Sequence, residues 1–327
     1  MFKEGNMSPY AELHVHIEGT LEPELTFALA KRNSVELPYA DPAELRSHFT
    51  YQSVQDFVEL YRASAAVLTT EQDFAELTTA YLTKAQSIGI VHAEISCDLA
   101  RHMARGIAPE AVLNGIGSVL KDSQTSHGVS TGLVLNFPVD LPVDAAVAVY
   151  DQAKAAGADI TAVEVCVSSP DASPKDLVPL FGRARADGLH TVAHVGAAAG
   201  DDMTWECLHA LKVGRVGAAA LTDRNLLYYL ADYSIPLTMS PLSTKALHVA
   251  SEADLSVARL LEEEVAIVVT SDAPAYFGGY LDANMAALVA DNGLTEQQAE
   301  ALARNTIAGS FLPESAKSAL IGQPVPA

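Results

Sequence analysis

The chain has 327 residues, 49% hydrophobic and 19% charged, enough to bury a substantial core in one barrel-sized domain spanning residues 1–327. A net charge of −21 argues against nucleic-acid or anionic-membrane partners, which need counter-charge. Three dispersed cysteines, Cys97, Cys166 and Cys207, argue against a disulfide framework or a zinc knuckle.

Taken in chain order, short β-branched runs alternate with longer amphipathic stretches. Strands are predicted near Ala11–His16, Val91–Ser96, Ser130–Asn136, Ile160–Cys166, His190–His194, Arg215–Ala218, Ile235–Met239 and Val265–Ser271. Helices are predicted at Ser53–Leu68, Glu71–Ser87, Val143–Ala156, Pro174–Ala186, Met203–Leu211, Asp223–Ala231, Leu255–Glu263, Leu281–Asp291 and Thr295–Asn305. Thr295 and Gln298 form a capping-box signature at the start of the last of these. The alternation predicts an α/β fold, a (β/α)₈ TIM barrel with a helical insertion from about Leu21 to Gly89 that overhangs the mouth. No opening segment resembles a signal peptide and no apolar run reaches membrane-spanning length, so a cytoplasmic protein is expected.

Four residues at the C-terminal ends of predicted strands form a metal-ligand set: His14 and His16, His194, and Asp272. Histidines at i and i+2 of a strand point to one face, so both imidazoles can reach one ion. Three nitrogens and a carboxylate suit Zn²⁺, and also Fe²⁺, Mn²⁺ or Co²⁺. Glu164 and Cys166 share a strand face and are candidates for a relocated acid/base and a pocket wall or nucleophile. Glu18 follows the first two ligands, while Ser271 and Tyr276 flank the last; all three are candidate substrate contacts. His92 reads as core, His102 as a loop residue that could meet a substrate, and Asp201-Asp202 as helix caps.

Besides these ligands, the chain carries Arg105-Gly106, Ile235-Pro-Leu-Thr-Met-Ser-Pro-Leu-Ser243, Pro274-Ala-Tyr-Phe-Gly-Gly279 and Ser310-Phe-Leu-Pro313. In these motifs it resembles the adenosine/adenine deaminase branch of the amidohydrolase superfamily over nearly its full length. The resemblance implies a (β/α)₈ barrel with one catalytic metal held by His14, His16, His194 and Asp272.

The same resemblance marks departures. Where the family has a proton-shuttling glutamate, this chain reads His194-Val-Gly-Ala197; where it has a water-orienting His-Gly, Arg215-Val-Gly-Ala218-Ala219. Where a second aspartate binds the purine, the chain has Ala273 between Asp272 and Pro274, and Glu164 aligns with a glycine. Alanine cannot move a proton, and a general acid–base group contributes roughly 10²–10⁴ in rate. The expectation is therefore a mononuclear metal-dependent enzyme that has lost ordinary purine deamination. It would use the ion as Lewis acid or hydroxide source on another small molecule, by hydrolysis, elimination or cyclisation, in a setting such as specialised metabolism. Two alternatives stay open: a non-catalytic ligand- or partner-binding descendant, and a purine deaminase with Glu164 as proton shuttle. A homo-oligomer also remains open.

Overall fold

Among the described residues, each strand pairs in parallel with the one that follows it. In the computed structural model, which describes residues 9–168, 171, 173–196, 198–218, 221–248 and 257–321, the strands are β1 (Tyr10–His16), β2 (Ile90–Cys97), β3 (Ser130–Pro138), β4 (Ile160–Val167), β5 (His190–Val195), β6 (Arg215–Ala218), β7 (Leu237–Met239) and β8 (Ile267–Val269). They form one sheet in sequence order from β1 to β8. The ring closes where Val15 bridges Asp272: His16 N–H donates to the Asp272 carbonyl and Asp272 N–H to that of His14, both at 2.9 Å. This is the expected (β/α)₈ barrel, and two ligand-bearing segments make its seam.

The first six strands begin within one residue of expectation, and the last two are shorter than expected. Pro236 has no N–H to give a ladder, so β7 starts at Leu237 rather than Ile235. Ser271 leaves β8 to hydrogen-bond Glu12, and Asp272 turns into the left-handed region at φ 61°. Ser271 thus departs from the predicted strand run, and Asp272 follows it at the barrel mouth.

The insertion contains α1 (Pro23–Asn33), α2 (Pro42–Ser47), α3 (Val54–Ala65) and α4 (Glu71–Ser87). Reciprocal capping boxes open α3 (Ser53 with Asp56) and α4 (Thr70 with Asp73), satisfying amides that the first helical turns leave free. The expected Thr295–Gln298 box opens the helix Glu296–Ala308. The run expected as a helix from Pro174 starts as a 3₁₀ turn, Pro174–Leu177, before the α-helix Val178–Ala186. The run expected at Met203–Leu211 begins at Gly200 and ends in a π-helical turn, Cys207–Leu211. Of the stretch expected at Leu255–Glu263, Val257–Glu262 is helical; residues 255 and 256 lie outside the described residues. Among the described residues, no helix is long and apolar enough to cross a membrane.

Side chains alternate between the helical layer and the barrel lumen, as strand geometry requires. Ala11, Leu13 and Val268 pack outward on Ile307. Low in the lumen, Val134, Ala162 and Val192 meet Phe311, whose ring stacks on His190 (4.1 Å) and lies 4.1 Å below the Arg215 guanidinium. Arg215 is fully buried and ion-paired with Glu94 at 2.6 Å. This closed floor leaves the opposite, C-terminal rim for chemistry.

Candidate metal centre

The alternation that points Glu12 into the lumen also points His14 and His16 inward, one above the other. His194 comes from the end of β5 and Asp272 from the turn after β8. The four side chains converge, with ligand atoms all within 4.8 Å of one another. His194 Nδ1 lies 2.6 Å from His14 Nε2, and His16 Nε2 lies 3.8 Å from Asp272 Oδ1. His14 and His16 are buried, the other two partly so. Burial and the neighbouring His14 depress His194 to about 4, which keeps its imidazole neutral with a lone pair to offer. Ring nitrogens facing each other, next to a carboxylate, fit a divalent ion with three nitrogen ligands and one oxygen.

Glu164 stands behind this set. Its Oε1 lies 3.0 Å from His14 Nδ1, and Ser96 Oγ donates to Oε2 at 2.8 Å. Burial alone would raise its pKa, but His14, with His16 and His194 beyond, holds it well below the ordinary carboxylate range. The expected acid/base thus sits as a buried carboxylate beside the outer ring nitrogen of a candidate ligand. Cys166 faces the same side, but burial and then Glu164 push its thiol up to about 12, the reverse of what a nucleophile needs.

Of the three expected substrate contacts, Ser271 and Glu18 are engaged with the protein through their side chains. Ser271 donates its hydroxyl to Glu12 Oε2 at 2.5 Å, in the lumen. Tyr276 is buried among Phe49, Phe57 and Tyr61 beneath the insertion, and its carbonyl accepts from the Tyr51 hydroxyl at 3.1 Å. Glu18 accepts from Asp98 N–H (3.2 Å), pairs with His102 Nε2 (2.7 Å) and receives the Tyr61 hydroxyl (3.3 Å). Burial opposes its ionisation, yet the bond and charge of His102 bring it to about 2. His102 is therefore a structural partner rather than a free loop residue, and its Nδ1 meets Arg105 Nη2 at 2.6 Å. Arg105 in turn donates to the Ala66 and Leu68 carbonyls, tying the insertion to the barrel. Glu18, Cys97 and His102 also cluster closely enough to hold an ion, but the Glu18–His102 bond and the adjacent guanidinium use up that potential.

Other expectations resolve simply. His92 is core, bonded to Ser130 Oγ at 2.8 Å. Asp201 caps no helix; it accepts from Thr222 and Asp223 N–H at 2.9–3.1 Å and so fixes the approach to the helix Arg224–Asp232. Ala273 is buried against Gly19, where an added Cβ would come within 2.6 Å of the Ala273 Cα. Ala197 and Ala219 lie outside the described residues, and Ala218 ends β6. Tyr61 was not legible in the sequence; only the fold brings α3 over Glu18. A cleft of ≈ 770 Å³ near Asn114, Lys121 and Asp159 lies by the starts of β3 and β4, the wrong end of the barrel for these ligands.

Comparison with known proteins agrees with this geometry. The adenosine deaminase family profile matches residues 9–324. The chain is 42% identical over 305 residues to an adenine deaminase of Pseudomonas putida, covering 92% of this chain and 97% of that one. An adenine deaminase of Bordetella parapertussis is 44% identical, with 92% and 96% covered. The crystal structure of an adenine deaminase from Arthrobacter aurescens superposes with a TM-score of 0.91 at 39% identity, covering 96% and 97% of the two chains. A zinc-bound amidohydrolase from Burkholderia ambifaria, 20% identical, shares the fold at a TM-score of 0.83, with 95% and 88% covered. With its barrel, its four convergent candidate ligands and these relatives, the chain belongs to the adenosine deaminase family of metal-dependent amidohydrolases.

Proposed function

We propose that this protein is a zinc-dependent hydrolase of adenine-type substrates that deaminates adenine slowly. The observation that carries this reading is the complete ligand set, His14, His16, His194 and Asp272, at the rim where barrel enzymes work. Three nitrogens and one carboxylate favour zinc. The adenine deaminases at 42–44% identity support the substrate class. They weigh against the expectation that purine deamination is lost, while Ala197, Ala218 and Ala273 set its expected pace.

A bound divalent ion supplies Lewis acidity and an activated water. Within the chain, Glu164 holds His14 in one orientation, and Glu18 with Tyr61 closes the insertion over the mouth and excludes solvent. Glu164 makes a poor proton shuttle, since both its oxygens face donors and it is held ionised. Without a free acid–base group the rate should fall roughly 10²–10⁴-fold below that of a deaminase that has one.

Ammonia release from adenine by zinc-loaded protein, with His194→Ala as control, tests the reading. Slow, zinc-dependent release absent from the variant is expected. Adenine binding without release would favour the second reading, a non-catalytic purine binder, which the three alanines support. Failure to bind adenine at all would overturn both.

A further inference from the structure

Beside the ligands, the ends of β6, β7 and β8 leave a cavity of ≈ 30 Å³ that touches His14, His194 and Asp272. Its remaining wall carries the hydroxyls of Thr238, Ser240, Ser243, Thr244 and Thr270. Each of these hydroxyls donates to the main chain. Thr238 donates to the Val216 carbonyl at 3.4 Å and Ser240 to that of Thr270 at 3.0 Å. Ser243 and Thr244 both donate to the Ser240 carbonyl, at 3.1 and 3.0 Å, and Thr270 donates to that of Met239 at 3.3 Å.

A hydroxyl has one hydrogen to donate and two lone pairs to accept with. With each hydrogen paired to a carbonyl or, between Ser240 and Thr270 at 3.3 Å, to a neighbouring hydroxyl, the wall turns its lone pairs towards the cavity. Among the described residues, no lysine, arginine or side-chain amide lines it to reverse that polarity. Gly217 keeps the wall open, since a Cβ there would come within 2.7 Å of Thr238 Oγ1. Shared with an ion on His14, His194 and Asp272, a cavity of this size holds about one further heavy atom, such as an amine nitrogen, and is too small for a ring.

We propose that this wall is the receptor for an N–H-bearing group of the substrate, an exocyclic amine or an amidine, and that it discriminates against groups of the same shape that lack those hydrogens. The proposal deepens the adenine-type reading and rests on it for the choice of first probe. A site built to pair with an N–H rejects the isostere lacking it, because its acceptors are then buried unpaired.

The test uses zinc-loaded protein and titration calorimetry with adenine and 6-methylpurine, which differ by an amine against a methyl. Thr244→Val, Ser240→Ala and the double variant Thr244→Val/Thr270→Val are compared with wild type, each checked for retained zinc and unchanged circular dichroism. Adenine should bind at least about tenfold tighter than 6-methylpurine, and the valine double variant should bring the ratio to within about threefold. Equal binding of the two purines by wild type, or a ratio unchanged in every variant, would overturn the proposal. Guanidinium at low millimolar concentration is the second probe. If adenine fails to bind but guanidinium binds and is weakened at least fivefold by the double variant, the wall stands and the adenine reading falls. If neither ligand responds to the variants, the wall itself is refuted.

Discussion

Glu164 Oε1 lies 3.0 Å from His14 Nδ1, on the side of the imidazole turned away from the other ligands. A carboxylate there fixes the ring and its tautomer so that Nε2 carries the lone pair towards the ion. Removing such a partner typically weakens metal affinity 10–100-fold. We predict that Glu164→Ala binds zinc weaker by about that factor in competition with a chelator, with circular dichroism preserved. Unchanged affinity would mean that Glu164 does not serve His14.

Asp272 combines a ligand side chain with a left-handed backbone at φ 61° and a bridge to His14. Asparagine tolerates that backbone better than alanine does. Asp272→Asn and Asp272→Ala should both lose zinc, but the alanine variant should be less stable by about 1 kcal/mol in urea unfolding. Equal stability of the two would remove backbone strain from the account of this turn.

Chelation gives an independent reading of the same centre. An ion that binds only the folded state adds stability by mass action, about 2.7 kcal/mol when its concentration is 100 times the dissociation constant. Wild-type protein should therefore melt at a lower temperature after chelator treatment, and His14→Ala should show no such difference. A chelator-insensitive wild type would mean the ligands hold no ion in solution.

The Tyr61 hydroxyl joins the insertion to Glu18 at 3.3 Å. Tyr61→Phe keeps the ring packed on Phe57 and Tyr276 and removes only this bond. The expected loss of stability is about 1 kcal/mol, with a faster ligand off-rate by stopped flow because the insertion opens more readily. An unaltered off-rate would argue that α3 does not gate the mouth.

Asp73 caps α4 and is the buried partner of Arg32. Burial opposes its charge, but Arg32 and the amides of Thr69 and Thr70 bring it from 3.8 to about 2. Because the folded value lies below the unfolded one, its contribution is present in full above about pH 4 and disappears as pH falls towards about 2. The stability gap between wild type and Asp73→Asn should be about 2 kcal/mol at pH 7 and shrink steadily towards pH 3 in urea titrations. A gap that does not change with pH would show that capping geometry, rather than charge, is what Asp73 supplies.

Strand positions and the convergence of His14, His16, His194 and Asp272 were legible in the sequence because both follow from local rules. Apolar alternation marks a strand, and histidines two apart on a strand must share a face. The roles of Glu164, Cys166, Glu18, Ser271 and Tyr276 were not legible. What each touches depends on a partner far away in the chain. Ser271 meets Glu12 across the barrel seam, Glu164 meets Ser96 and His14, and Glu18 meets His102 and Tyr61.

By itself, then, the amino-acid sequence determined the barrel and the family and marked a candidate metal-ligand set, since periodicity and short motifs are properties of neighbouring residues. The tertiary structure placed the Glu164 carboxylate 3.0 Å from His14 and turned the hydroxyls of Ser240 and Thr244 onto main-chain carbonyls beside the candidate ligands. The physical reason is that charge state and hydrogen-bond polarity are set by burial and by which groups meet across strands, and neither is written along a single one.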